Sequence, residues 1–106
     1  MTHYVLLEDH TFRPCHFMEW AEQFESMTKE GKRHIGDDMV GDYHVSTVWL
    51  GLDHNYYGGA PLLFETMVFN GDHSGDIYMD RYTTWDEALE GHKKAIEWVK
   101  DGCNER

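Results

Sequence analysis

Two apolar runs in the middle of the chain constrain its fold most. Val45 to Asn55 opens with Val45-Ser46-Thr47-Val48-Trp49-Leu50-Gly51-Leu52, and Leu62 to Phe69 reads Leu62-Leu63-Phe64-Glu65-Thr66-Met67-Val68-Phe69. The first is rich in β-branched and aromatic residues and the second is nearly all apolar, which suits a pleated, covered surface better than a helix. Together they predict the central hairpin of a small sheet. Along the first run Val45, Thr47 and Trp49 alternate with Ser46, Val48, Leu50 and Leu52, so the strand has two distinct faces. Gly51 is the one gap, and a glycine in a strand marks a bulge or the close approach of another group. The connection, Asp53 to Pro61, is too long for a tight turn and carries His54, Asn55, Tyr56 and Tyr57 before Gly58 and Gly59. A loop so rich in donors, acceptors and rings is the first place to expect a functional site.

The flanking segments supply the other elements. Tyr4 to Glu8 predicts a first strand. Pro14, suited to a first helical turn, precedes Phe17, Trp20, Ala21, Phe24 and Met27 at helical spacing, with Lys29, Gly31 and Lys32 as end signals; a helix from about Pro14 to Glu30 is expected. Arg33 to Val40 predicts a weaker strand, and Gly41-Asp42 a two-residue turn into the central strand. Asn70 to Asp76 is a string of turn formers read as an exposed loop, and Ile77 to Tyr82 a short last strand. Thr84-Trp85-Asp86-Glu87 fits a capping box, followed by a stripe of Trp85, Ala88, Leu89, His92, Ala95, Ile96 and Val99 that ends at Gly102. The order is β-α-β-β-β-(β)-α. It predicts one α+β domain over residues 1–106, a mostly antiparallel sheet of four or five strands with two helices packed on one face.

Charge narrows the partners. With 20 acidic against 9 basic residues and a net charge of −11, the chain is unsuited to direct binding of a nucleic-acid backbone, which needs clustered Lys and Arg. A basic macromolecule or a DNA-like decoy role would fit the charge, and its plainest reading is acidic, solvated helix faces that keep a small protein soluble. Cys15 and Cys103 are far apart and lack metal-type spacing, so no disulfide scaffold is expected. The N-terminal residues lack a signal-peptide pattern, and no stretch is apolar for the roughly 20 residues of a membrane span. These features predict a cytosolic protein, and homodimerisation through an exposed sheet edge is compatible with them.

Candidate chemistry centres on Asp53, His54, Glu65, Arg81 and His92. His92 interrupts an apolar helical stripe, and Glu65 falls on the Leu63, Met67 and Phe69 face of the most apolar strand. A buried carboxylate needs a partner, and His92 and Arg81 are the candidates. The group is a structural pair, a pocket for a small polar ligand, or a zinc or iron site. The last lacks the H-x-x-x-H or H-E-x-x-H spacing, so no metal or cofactor is expected. Cys15 at a helix start would have a lowered thiol pKa, but its neighbour His16 cannot face it; Ser46 and Thr47 lie inside a strand, and Gly58-Gly59 lacks a following Lys-Ser/Thr. Tyr56, Tyr57, Tyr78, Tyr82 and Trp98 are left over from the core stripes. They either anchor a partner, with Arg81, or form a second cluster under the loops.

Three segments also carry a family likeness: Glu19-Trp20-Ala21-Glu22-Gln23-Phe24-Glu25, VSTVWLGLDH (Val45 to His54) through PLLFETMVF (Pro61 to Phe69), and RYTTWDEALEGH (Arg81 to His92). In these the chain resembles small proteins that recur in tailed bacteriophages and prophages. The resemblance implies a phage source and expression in the host bacterial cytoplasm, and it implies no catalytic residues. The chain departs from that pattern in its expanded turn at Asn70 to Asp76 and in its acidic balance. The expectation is a non-enzymatic phage accessory protein that binds a host or phage macromolecule, with countering a host defence as one such role. Its expected binding residues are Asp53, His54, Tyr56, Tyr57, Glu65, Arg81, Tyr82 and His92. The alternatives are a small-ligand, nucleotide-like binder and a small metal-dependent hydrolase using Asp53, His54, Glu65 and His92.

Overall fold

A computed structural model describes residues 2–55, 57–71 and 76–103 of the chain. Six strands and two helices follow in the order β1 (His3–Leu6), β2 (Phe12–Cys15), α1 (Phe17–Glu30), β3 (His34–Val40), β4 (Tyr43–Trp49), β5 (Phe64–Phe69), β6 (Asp76–Tyr82) and α2 (Trp85–Lys100). Strands β3 to β6 form an antiparallel meander in chain order, and β1 pairs with β2 in a separate hairpin. The expected α+β class, with helices packed against an antiparallel sheet, is what the chain forms.

The central pair is in the register that its two faces require. Val45 lies opposite Val68, Thr47 opposite Thr66 and Trp49 opposite Phe64, and all six are buried. This face carries α2. Ala88, Gly91, His92, Ala95 and Val99 are the helix's buried residues, a helical stripe that touches all four strands. Leu89, expected in that stripe, is exposed. The helix begins with the expected capping box: the Thr84 hydroxyl accepts from the Glu87 N–H while the Glu87 carboxylate accepts from the Thr84 N–H. One core cluster gathers Val45, Val68, Tyr78, Ala95 and Val99, and Trp98 packs on it with its ring 4.9 Å from that of Tyr78. The leftover rings Tyr78 and Trp98 therefore belong to the core.

A second cluster, Trp49, Leu63, Phe64, Tyr82 and Ala88, is roofed by Tyr4, Leu6 and Phe12 of the hairpin and by Met27 of α1. The hairpin corrects the expected start of α1. Pro14 sits in β2 opposite Tyr4, and the helix begins only at Phe17. Proline is tolerated in an edge strand whose N–H faces away from its partner, so the same residue that marks a helical first turn also fits here. No residue of α1 is fully buried. Gln23 fixes the helix instead: its side-chain amide accepts from the Leu6 N–H at 2.9 Å and donates to the Leu6 carbonyl at 2.8 Å, pairing as a neighbouring strand would.

Gly51 ends the central strand early. At φ +72° it turns the chain so that its carbonyl accepts from the Tyr4 N–H at 2.8 Å, and Leu52 bridges to His3. The Trp20 indole N–H donates to the Leu50 carbonyl at 3.1 Å beside it. A Cβ at position 51 would stand 2.5 Å from Trp20 Nε1 and 3.0 Å from the Tyr4 carbonyl oxygen. Gly31, the α1 C-cap, also has positive φ (+69°), but has open space around it. Gly51→Ala should therefore lower the unfolding free energy by about 2–4 kcal/mol and Gly31→Ala by only about 1 kcal/mol, as clash adds to backbone strain at the first site alone. Urea unfolding followed by tryptophan fluorescence checks this; equal losses would remove Gly51 as the junction of hairpin and sheet.

Candidate functional site

Residues expected to meet are divided by the meander. Glu65 lies opposite Arg81 across β5 and β6, and the Arg81 Nε–H donates to Glu65 Oε2 at 2.9 Å. Both belong to the face away from α2. His92 lies on the other side, so it is not the partner of Glu65. Alternation placed each residue on the correct face of its own element, but nothing local says which sheet face α2 covers.

Beneath α2, His92 is the middle of a hydrogen-bonded chain. Its Nε2 is 2.7 Å from Asp38 Oδ2, its Nδ1 is 2.7 Å from the Thr47 hydroxyl, and that hydroxyl is 2.6 Å from the hydroxyl of Thr66. A carboxylate only accepts, so Nε2 carries the proton; in the neutral ring Nδ1 then accepts from Thr47, whose oxygen accepts from Thr66. Gly36 permits the approach, since a Cβ there would lie 2.6 Å from the imidazole. The connectivity is that of a carboxylate–imidazole–hydroxyl triad. Nucleophilic use needs an open side on the hydroxyl, however, and Thr47 and Thr66 are both 0% exposed. The chain therefore ties α2 to β3, β4 and β5. Thr47 was weighed from the sequence only as a nucleophile and set aside as a strand residue, and Thr66 was not singled out, though their alternation with Val45, Trp49 and Val68 already placed hydroxyls on the core face.

Asp37, next along β3, points to the opposite face and pairs with His44 Nε2. That hydrogen bond, with the nearby His34 and His44 charges, holds the Asp37 carboxyl below its ordinary 3.8 against a smaller opposing effect of burial. Two Asp–His pairs thus straddle one edge strand. Among the described residues, no group of three or more His, Cys, Asp or Glu is placed to hold a metal ion. Cys15 ends a strand instead of starting a helix, and partial burial followed by the Glu19 carboxylate pushes its thiol up, against the expected lowering.

The loop after β4 is held by its own polar residues. Asp53 Oδ1 accepts from the N–H groups of Asn55 at 2.8 Å and Leu62 at 3.1 Å, closing the loop at its base. Asn55 accepts from the Tyr57 N–H and donates to the Ala60 carbonyl. Tyr57 projects fully into solvent at 100% exposure. Tyr56 lies outside the described residues. His54 is half-buried, its N–H donating to the Leu62 carbonyl. Tyr82, expected to bind, is buried against Gly91 of α2. A cleft of about 440 Å³ opens elsewhere, between Asp9, His10, Thr11 and Phe12 of the hairpin turn and Thr84, Trp85 and Asp86, with His10 stacked on Trp85 at 3.7 Å.

Fold and site together define a small α+β protein whose polar residues clamp a helix to a meander and pin a tyrosine-bearing loop. Compared with models of known families, with curated proteins and with solved structures, the chain matches none of them.

Two outcomes test the polar groups. Thr47→Val leaves both the His92 Nδ1 and the Thr66 hydroxyl short of a buried partner and should cost about 2–4 kcal/mol, whereas Asp38→Asn at the half-exposed end should cost under about 1 kcal/mol; equal costs in urea unfolding would count against a buried clamp. Asp37 has a depressed folded pKa, so its contribution is present above 3.8 and lost as pH falls through the lower folded value. The stability gap between the protein and Asp37→Asn should accordingly be present at neutral pH and close in that acid range, and a gap independent of pH would remove the His44 pairing as its cause.

Proposed function

We propose that the protein is a phage accessory protein of the host bacterial cytoplasm, acting by binding a host or phage macromolecule through the loop from Asp53 to Pro61. The observation that carries this reading is the loop's construction. The side chains of Asp53 and Asn55 bond the backbone of Asn55, Tyr57, Ala60 and Leu62, and the Tyr57 ring stands at full exposure on that bonded backbone. Large rings presented on a fixed backbone are the usual anchors of protein interfaces, because they bury much area for few rotatable bonds. The resemblance of the central segments to phage proteins supports the source, and the net charge of −11 favours a basic partner.

The small-ligand and hydrolase readings drew on Asp53, His54, Glu65, Arg81 and His92 as one group. The meander separates Glu65 and Arg81 from His92, which leaves those readings without a shared pocket. Countering a host defence is one role that a small acidic binding protein of this kind would serve.

Affinity capture from infected cells provides the test. Tyr57→Ser should lose a partner that the unaltered protein retains, by on the order of tenfold or more in recovered amount, with an unchanged thermal midpoint because the ring contributes nothing to the fold. Equal capture by both proteins would remove the loop as the binding site.

A further inference from the structure

Strand register lays one polar row across the meander on the face that α2 covers. Gly36 of β3 lies opposite Thr47 of β4, Thr47 opposite Thr66 of β5, and Thr66 opposite Asp80 of β6. His92 rests against Gly36 at one end, its Nδ1 on the Thr47 hydroxyl. At the other end Asp80 Oδ1 accepts from the Arg81 N–H at 3.0 Å, beside a groove of about 200 Å³ that Glu87, Glu90 and Lys94 of α2 also line. The row therefore has a titratable ring at one end, a carboxylate at the other and two hydroxyls between them.

The count of hydrogen-bonding protons decides what such a row does when the ring changes charge. With a neutral ring there are three, on Nε2, Thr47 and Thr66, and Asp38, Nδ1 and the Thr47 oxygen accept them. A second ring proton turns Nδ1 from acceptor into donor. Four protons then face Asp38 and the two hydroxyl oxygens. The Thr47 oxygen takes the Nδ1 proton, Thr47 turns its own proton to Thr66, and the Thr66 proton is displaced towards β6. Each step is a rotation about a C–O bond, and no hydroxyl gives up its proton. Thr47 and Thr66 are fully buried, so water supplies no acceptor midway, and a buried proton without one is costly. Side chains directly opposite across strands stand about 5 Å apart at Cβ, the spacing across which Thr47 already bonds Thr66. Asp80 holds the same position on the far side of Thr66.

We propose that this row is a pH-sensitive relay that carries the charge state of His92 from the β3 side of the sheet to Asp80 at the β6 edge. Among the described residues, those facing the ring are as follows: β3 presents Asp38, β4 Thr47 with Tyr43 farther along, β5 Thr66, and β6 Asp80 between Tyr78 and Tyr82. The neighbouring turns of α2 add only Ala88 and Ala95 to that buried side. Asp37, whose carboxyl is held low first by its hydrogen bond to His44, also feels the His92 charge from the other face of β3. The relay lies beneath α2, apart from the loop from Asp53 to Pro61, and does not depend on the role proposed for that loop.

NMR of the full chain between about pH 8 and 5, where imidazoles ordinarily change charge and carboxylates are already ionised, tests the relay. The Thr66 methyl and Asp80 carboxyl signals should shift with the same midpoint as the His92 ring. His92→Gln should abolish both responses, and His44→Gln, on the other face, should leave them. Thr47→Ser retains the hydroxyl and should retain both responses, whereas Thr47→Val should lose them while the His92 ring still titrates. If Thr47→Val does not fold, the midpoints in the unaltered protein and in His92→Gln decide the matter. Thr66 and Asp80 signals that stay flat through the His92 titration would overturn the relay. So would responses that survive His92→Gln, or a His92 ring that keeps one charge across the whole range.

Discussion

A four-stranded sheet has two faces, and the helical segments of this chain cover one. That geometric constraint orders the rest of the molecule. The covered face takes Val45, Trp49, Phe64 and Val68, and with them the buried polar chain of Thr47, Thr66 and His92. The other face keeps its charges in local pairs and its methionines in solvent.

The polar chain beneath α2 is better understood as a device of position than of stability. Burying hydroxyls and an imidazole gains little over an apolar core, but a half-satisfied network is costly, so the helix is confined to the one seat in which every member is bonded. Small residues make that seat close-fitting. Gly36 admits the His92 ring and Gly91 admits the Tyr82 ring, each at a distance that a methyl group would not permit. The hairpin and α1 are attached differently, through the Gln23 amide, the Trp20 indole and the turn at Gly51. These are polar contacts at backbone edges, in keeping with a helix that has no fully buried residue.

Much of this was legible from local patterns. The capping box at Thr84, the stripe of α2 apart from Leu89, the turn at Gly41-Asp42 and the alternation of the central strand as far as Trp49 each depend on neighbours a few residues away, and each formed where expected. Pro14 misled because its fixed φ and missing N–H suit both a helix start and an edge strand. The choice went to the strand because β1 offered an edge to pair with and the roof over Trp49 needed Phe12. The candidate site was less legible. Glu65 and His92 were rightly marked as polar residues in apolar surroundings, but the partner of His92 proved to be Asp38, from the strand expected to be the weaker one.

The amino-acid pattern by itself determined the elements, their polarity and the two faces of each strand, because those follow from periods of 2 and 3.6 residues and from turn chemistry within a few positions. Only the tertiary structure decided which face α2 would cover. Both faces of the meander carry apolar side chains, so alternation distinguishes them without ranking them. Thr47 and Asp38, 45 and 54 residues from His92 in the sequence, and Thr66, bonded to Thr47, are brought together on His92 by strand register, and they made one face the seat and left the other open.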